Sequence, residues 1–160
     1  MAKSPTGLNA DWEDIGTEHP KHPSNIRLHE YYLRQKPAEG LPNRADFDLL
    51  DLPDIAPGMF IAERDPDREG DIRFRLVGSA IEERLGVSLT GRGFSAFSAA
   101  TNARLKPIYE QVFVDHKSFV LRGSFVGSGL EHLEYEAFLL PMMSRSGDGV
   151  NVIGGMFAFD

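Results

Sequence analysis

The stretch IRFRLVGSAIEERLG, residues 72–86, decides the fold. Its first residues alternate, with Ile72, Phe74 and Leu76 on one side of an extended chain and Arg73 and Arg75 on the other, as in a strand with one covered face. The alternation stops at Gly78. Ser79 and Glu82 then read as a capping box, in which the serine accepts a free backbone N–H and Glu82 reaches back, and Gly86 supplies a left-handed stop. A strand therefore runs directly into a helix of two turns. Upstream, residues 59–63 form another apolar run and residues 64–70 a polar turn, so the whole of 59–77 is predicted to be an antiparallel hairpin.

Downstream, Leu105, Ile108, Tyr109, Val112 and Phe113 fall at i, i+3, i+4, i+7 and i+8, the strongest helix pattern in the chain, with Pro107 in its first turn or at a kink. Three strands follow at 118–126, 131–140 and 150–159, separated by Gly-rich turns. The second sets His132, Glu134 and Glu136 against Leu133, Tyr135 and Ala137, which predicts one wet face. The third is apolar on both faces, which predicts a central strand. The expected fold class is α+β: a five-stranded antiparallel sheet with helices on one face and an N-terminal flanking helix. That flanking helix begins at Ser24 or Asn25, presents Leu28, Tyr31, Tyr32 and Gln35 on one face, and ends by Pro37. Residues 1–25 read as a flexible arm with Trp12 as its one large anchor, 26–57 as the helix and a linker, and 58–160 as the core.

Composition narrows the function. The 160 residues include no cysteine, which excludes disulfides, thiolate nucleophiles and Cys-ligated metals. A net charge of -7 with no gathered basic face argues against nucleic acid. The longest apolar stretch falls well short of the roughly 20 residues that span a bilayer, and Asp11, Glu13 and Asp14 interrupt any signal-peptide core, so a cytoplasmic protein without a membrane partner is expected.

The order of strands and helices is that of a PAS domain, and residues 72–86 with the following Leu89-Thr90-Gly91-Arg92 resemble the second strand, small-residue turn and short helix of that family. Leu28 to Tyr32 and Arg44 to Asp48 resemble bacterial single-PAS proteins once catalogued only as a domain of unknown function. The resemblance runs from about residue 28 to 159. It departs from many sensory PAS domains in having Gly78 where Asn is common, and without cysteine no flavin adduct of the light-sensing kind is possible. It implies a cavity between sheet and helices, with Arg84 and Arg92 flanking the loop that closes it.

Other motifs read as ordinary structure. Asp65, Asp67, Glu69 and Asp71 space oxygen ligands as a calcium loop does, but the position of the bidentate Glu holds Leu76. His19, His22 and His29 lack an enforced geometry for zinc, and His116 and His132 read as solvated or capping histidines. No nucleophile elbow, phosphate loop or dinucleotide fingerprint occurs. Arg73 and Arg75, with Arg92, are either surface cations paired across strands or anchors for an anion.

The expected function is therefore a non-enzymatic PAS sensor or signalling-interaction module. A small ligand would lie among Leu76, Ile81, Leu85, Arg84, Tyr109, Val112, Phe113 and Tyr135. The chain ends just after its last strand, so output is expected in trans on a signalling protein. A homodimer is expected through Leu28, Tyr31 and Tyr32. No cofactor is named by the sequence. One alternative is a ligand-free protein-protein module filled by its 11 phenylalanines. Another is a small cone-shaped enzyme of the ketosteroid-isomerase type, for which Asp46, Asp48 and Tyr135 are the only candidates.

Overall fold

The computed structural model describes residues 7–16, 19–126, 129 and 131–159. Its elements run β1 (Asn9–Gly16), α1 (Pro23–Gln35), β2 (Met59–Arg64), β3 (Ile72–Val77), α2 (Ser79–Leu85), α3 (Ala99–Asp115), β4 (Phe119–Val126), β5 (Glu134–Met143) and β6 (Val150–Phe159). Single 3-10 turns at Arg44–Asp46, Leu49–Asp51, Ala56–Gly58 and Phe94–Ala96 punctuate the connections. The strands form one antiparallel sheet in the order β1-β4-β5-β6-β2-β3. As its two-faced apolar pattern predicts, β6 is an interior strand.

The sheet has six strands rather than five, because the expected arm contributes β1. Leu8, Ala10 and Trp12 pack on the core while Asp11 and Glu13 are exposed, a period of two among polar neighbours. β1 pairs with β4, and Trp12 lies opposite Gly123. A Cβ at position 123 would run into the Asp11 carbonyl and the Trp12 backbone, so this close approach needs glycine.

One layer of core lies under α2 and α3, with Phe60, Phe74, Leu121, Tyr135 and Val152 of the sheet. The opposite face carries Met59, Ile61, Val120, Phe138 and Ile153 beneath α1 and the turns that follow it. Both faces are thus dry, and Glu136, expected on a wet face, is wholly buried under α1.

The alternation in β3 is broken. Ile61 pairs with Leu76 and Ala62 with Phe74, so Arg75 is an extra residue in a β-bulge. Beyond it the strand's faces exchange: Phe74 and Val77 join the α2/α3 layer, whereas Leu76 packs into the α1 layer. Gly78 donates its N–H to the Met59 carbonyl at 2.8 Å, and a side chain there would strike the Pro57 carbonyl, which accounts for glycine at the turn.

The capping box expected at α2 does not form. Gly78 is its N-cap, without a side-chain bond, and Glu82 instead accepts the N–H groups of Leu89 and Thr90 at 2.5 and 3.0 Å. Those bonds, led by that from Thr90, hold the Glu82 carboxyl below the ordinary glutamate range. α3 begins earlier than its apolar stripe suggests, because the Ser98 hydroxyl caps it by accepting from Thr101 N–H at 3.2 Å. Pro107 consequently lies inside the helix rather than in its first turn.

The chain from Thr90 to Arg104 bonds to both margins of the sheet. On β3, Arg92 O accepts from Phe74 N–H, Phe74 O from Gly91 N–H, and the Thr90 hydroxyl from Val77 N–H. On β1, Leu8 exchanges backbone bonds with Ala96 and Ser98, the Thr101 hydroxyl accepts from Ala10 N–H, and Arg104 donates to Trp12 O.

Candidate functional site

Between the sheet and the helices α2 and α3 lies a cavity of about 110 Å³ with almost entirely apolar walls. Ile81 and Leu85 reach it from α2, Tyr109 and Leu105 from α3, and Phe60, Phe74, Leu121, Tyr135 and Met156 from the strands. Ala10 and Trp12 of β1 complete it. Ring packing fixes much of the wall: Phe94 meets Tyr109 edge-on at 4.9 Å, and Phe125 meets Tyr135 edge-on at 5.5 Å. Burial pushes the Tyr109 phenol well above its ordinary value, so it stays neutral.

Of the residues expected around a ligand, Ile81, Leu85, Tyr109 and Tyr135 do line this cavity. Val112 and Phe113 are buried in the same layer but pack behind the wall. Leu76 is on the other face of the sheet, turned there by the bulge at Arg75. Trp12 is the wall residue that sequence reasoning placed least well, although the alternation of Leu8, Ala10 and Trp12 carried the signal. It is half-buried, with the Arg104 guanidinium stacked 4.1 Å from its ring centre.

Arg84 lies at a second, more polar space of about 240 Å³, a cleft between the start of α1 and α2. His22, Ser24 and Asp54 contribute its polar groups, and Ile81, Tyr135 and Met156 line both cleft and cavity. Asp54 is held by Arg27 at 2.6 Å, and this bond keeps its carboxyl below the ordinary aspartate range.

The possible anion anchors are committed elsewhere. Arg73 forms a cross-strand ion pair with Glu63 at 2.5 Å, and Arg75 approaches the same carboxylate at 3.7 Å. Arg92 is exposed and donates to the Ser88 carbonyl. The two β3 arginines therefore serve as paired cations across the hairpin.

Leu28, Tyr31 and Tyr32 do not form an outward surface. All three are buried against the sheet, with the Tyr32 hydroxyl donating to Pro141 O and that of Tyr31 to Asp51. What α1 exposes instead is Ile26 and Leu33, two turns apart.

The first turn of α1 is pinned by Glu136, the feature sequence reasoning missed. Its carboxylate accepts from Lys21 N–H at 2.8 Å, His22 N–H at 2.9 Å, Asn25 Nδ2 at 3.1 Å and Arg122 Nε at 2.9 Å. Burial pushes this carboxyl up, but the four donors outweigh it and hold the group below the ordinary glutamate range. His22 caps the same helix: its Nδ1 accepts from Ser24 N–H, so Nε2 carries the proton and donates to Ala158 O at 3.0 Å.

The arrangement offers little for proton-transfer chemistry. Asp46 and Asp48 cap 3-10 turns beyond the α1 face, remote from the cavity. Among the described residues the one carboxylate at the cavity margin, Asp11, is exposed and paired with Arg104 at 3.3 Å. None of Asp11, Asp46 and Asp48 is thus a carboxylate enclosed in the apolar cavity, which is what the isomerase chemistry would require. Among the described residues no group of three or more His, Asp or Glu side chains is gathered to hold a metal ion. His116 is an exposed left-handed cap at the end of α3. Among the described residues no helix is long and apolar enough to cross a membrane.

A family profile described as PAS domain matches residues 20–157. No curated protein matches the chain.

Proposed function

The chain belongs to the PAS domain family, a family of sensor and signal-transduction domains that are generally not catalytic, and on that premise we propose that it is a ligand-responsive signalling module. A small, mainly apolar molecule occupies the cavity between the sheet and α2/α3, and its presence is relayed through the sheet to α1. The observation that carries this reading is the adjacency of the two layers within single strands. On β5, Tyr135 lines the cavity and Glu136 pins α1; on β6, Met156 lines the cavity and Phe157 stacks on His22 at 5.2 Å. A ligand that displaces Tyr135 or Met156 acts one residue away from the anchors of α1, and shifts the population of α1 arrangements by its differential affinity for them.

In this reading the protein works in the cytoplasm as one of the bacterial single-PAS proteins that residues 28–32 and 44–48 resemble. Output passes in trans to a partner or a second copy through the outer side of α1, where Ile26 and Leu33 lie, rather than through the buried Leu28, Tyr31 and Tyr32. The cavity volume limits the ligand. At about 110 Å³ it is below the roughly 300 Å³ at which metabolite pockets begin, and nearer the ~150 Å³ apolar cavity that accepts benzene.

The same small volume favours a second reading, a ligand-free interaction module with an aromatic core. One experiment separates the two. The sole tryptophan of the chain lines the cavity, so its emission should change on titration with small apolar compounds, and native mass spectrometry of the purified protein should show any retained ligand. A bare mass and an unresponsive Trp12 across a broad panel would leave only the interaction module.

A further inference from the structure

We propose that the ligand is a small, uncharged carbonyl compound whose oxygen accepts a hydrogen bond from the Tyr109 hydroxyl. This rests on the reading of the cavity as a ligand site and adds the chemical class and orientation of its occupant.

Tyr109 lines the cavity from α3 and is only 4% exposed. Phe94 meets its ring edge-on at 4.9 Å, which fixes the ring and with it the hydroxyl at its tip. Among the described residues that hydroxyl has no hydrogen-bond partner, yet it is not sealed by protein atoms as the Tyr135 hydroxyl is. An unsealed phenol on a residue buried so deeply fronts the cavity. Such a group has given up its bond to water without replacing it, a loss that an incoming acceptor makes good. Burial keeps the phenol protonated, so it meets a ligand as a donor.

The rest of the wall selects against charge. Arg104, beside the cavity margin, is committed to the Trp12 ring at 4.1 Å, to Trp12 O at 2.9 Å and to Asp11 at 3.3 Å. A carboxylate would therefore enter apolar walls without a counter-charge, and an ammonium would find only Asp11, exposed and already paired. An alcohol answers Tyr109 only by bringing a second donor into the same walls, whereas a ketone, aldehyde or ester carbonyl brings acceptors alone. The volume of about 110 Å³ sets the size at about four to six non-hydrogen atoms, by comparison with the ~150 Å³ space that accommodates benzene.

The test uses the full chain, labelled with nitrogen-15, and two probes of nearly equal shape, cyclopentanone and methylenecyclopentane. Both should shift the Trp12 indole N–H signal as they fill the cavity. Tyr109→Phe should weaken cyclopentanone about fivefold and change methylenecyclopentane by less than twofold, with circular dichroism confirming the fold. In the parent protein the infrared C=O stretch of bound cyclopentanone should move to lower frequency than in hydrocarbon solvent, a reading that needs no variant. Equal effects of Tyr109→Phe on the two probes, or an unshifted carbonyl stretch, overturn the carbonyl assignment while leaving the cavity as a ligand site. Binding of neither probe to the parent protein overturns both.

Discussion

Tyr135 and Glu136 are consecutive residues of β5 that face opposite layers of the molecule, one walling the cavity and the other holding the first turn of α1. The carboxylate has no surplus acceptor to spare, since four donors from residues 21, 22, 25 and 122 converge on it. Glu136→Gln replaces one acceptor oxygen by an amide donor facing donors and leaves Arg122 without its ion-pair partner. It should cost about 2 to 4 kcal/mol of stability, measured by urea unfolding, with the amides of α1 exchanging faster than those of α3.

The same group sets an acid limit. Its folded value lies below the unfolded glutamate value of about 4.3, so the unfolded chain binds the proton more readily in the interval between them. The stabilisation is complete above about pH 4.3 and is lost as pH falls toward the folded value. Stability measured from pH 6 to 3 should therefore fall less steeply in Glu136→Gln than in the parent protein. Equal slopes would mean that other carboxylates govern acid unfolding.

The inner and outer sides of α1 should behave oppositely. Leu28 is fully buried, and Leu28→Ala should cost about 2 to 5 kcal/mol in thermal or urea unfolding. Ile26→Asp with Leu33→Asp, at residues 41% and 54% exposed, should leave the unfolding midpoint nearly unchanged while abolishing any self-association seen by light scattering. An unaltered mass in the double variant of an associating parent would place the contact elsewhere.

Gly123→Ala should unseat β1 without unfolding the rest. The new methyl collides with Asp11 O and Trp12, whereas the other side of β4 still pairs with β5. Trp12 emission should shift to the red and quench more readily with iodide, while far-ultraviolet circular dichroism changes little. Unchanged emission would show that β1 accommodates the methyl in place.

Glu82 fastens the loop after α2 rather than the helix start. Glu82→Ala should accelerate exchange of the Leu89 and Thr90 amides by roughly tenfold, with little effect on helix α3. Slower exchange of the Ser79 and Ala80 amides in the parent, lost in the variant, would instead favour a capping role.

The order of β2, β3, α2, α3, β4, β5 and β6 was readable because each element carries its own pattern: a period of two in β3, three to four along Leu105 to Phe113, and in β6 an apolar run interrupted only by Asn151 and two glycines. Three features escaped for separate physical reasons. The bulge at Arg75 leaves no local trace in IRFRLV, yet it sends Leu76 and Val77 to the faces opposite those that alternation assigns. Glu136 carries the mark of a solvent-facing residue, and only the long-range return of residues 21–25 supplies the donors that bury it. β1 was legible in principle, since Leu8, Ala10 and Trp12 alternate, but prolines and polar neighbours outweigh three apolar positions in any local reading. The cavity wall suffered accordingly: residues on α2 and α3 were found by helical spacing, whereas Trp12 and Met156 depend on where distant strands meet.

The passage from Thr90 to Arg104 has a consequence for how the protein survives at high concentration. A rim strand with vacant amides and carbonyls is a template on which another copy can stack, and open sheets guard against this with charges or prolines. Here Phe74 and Val77 on one rim, and Leu8, Ala10 and Trp12 on the other, spend those groups on a single stretch of their own chain. The domain is fenced against fibril-like growth at both rims by one strap, and loosening that strap would open both rims together.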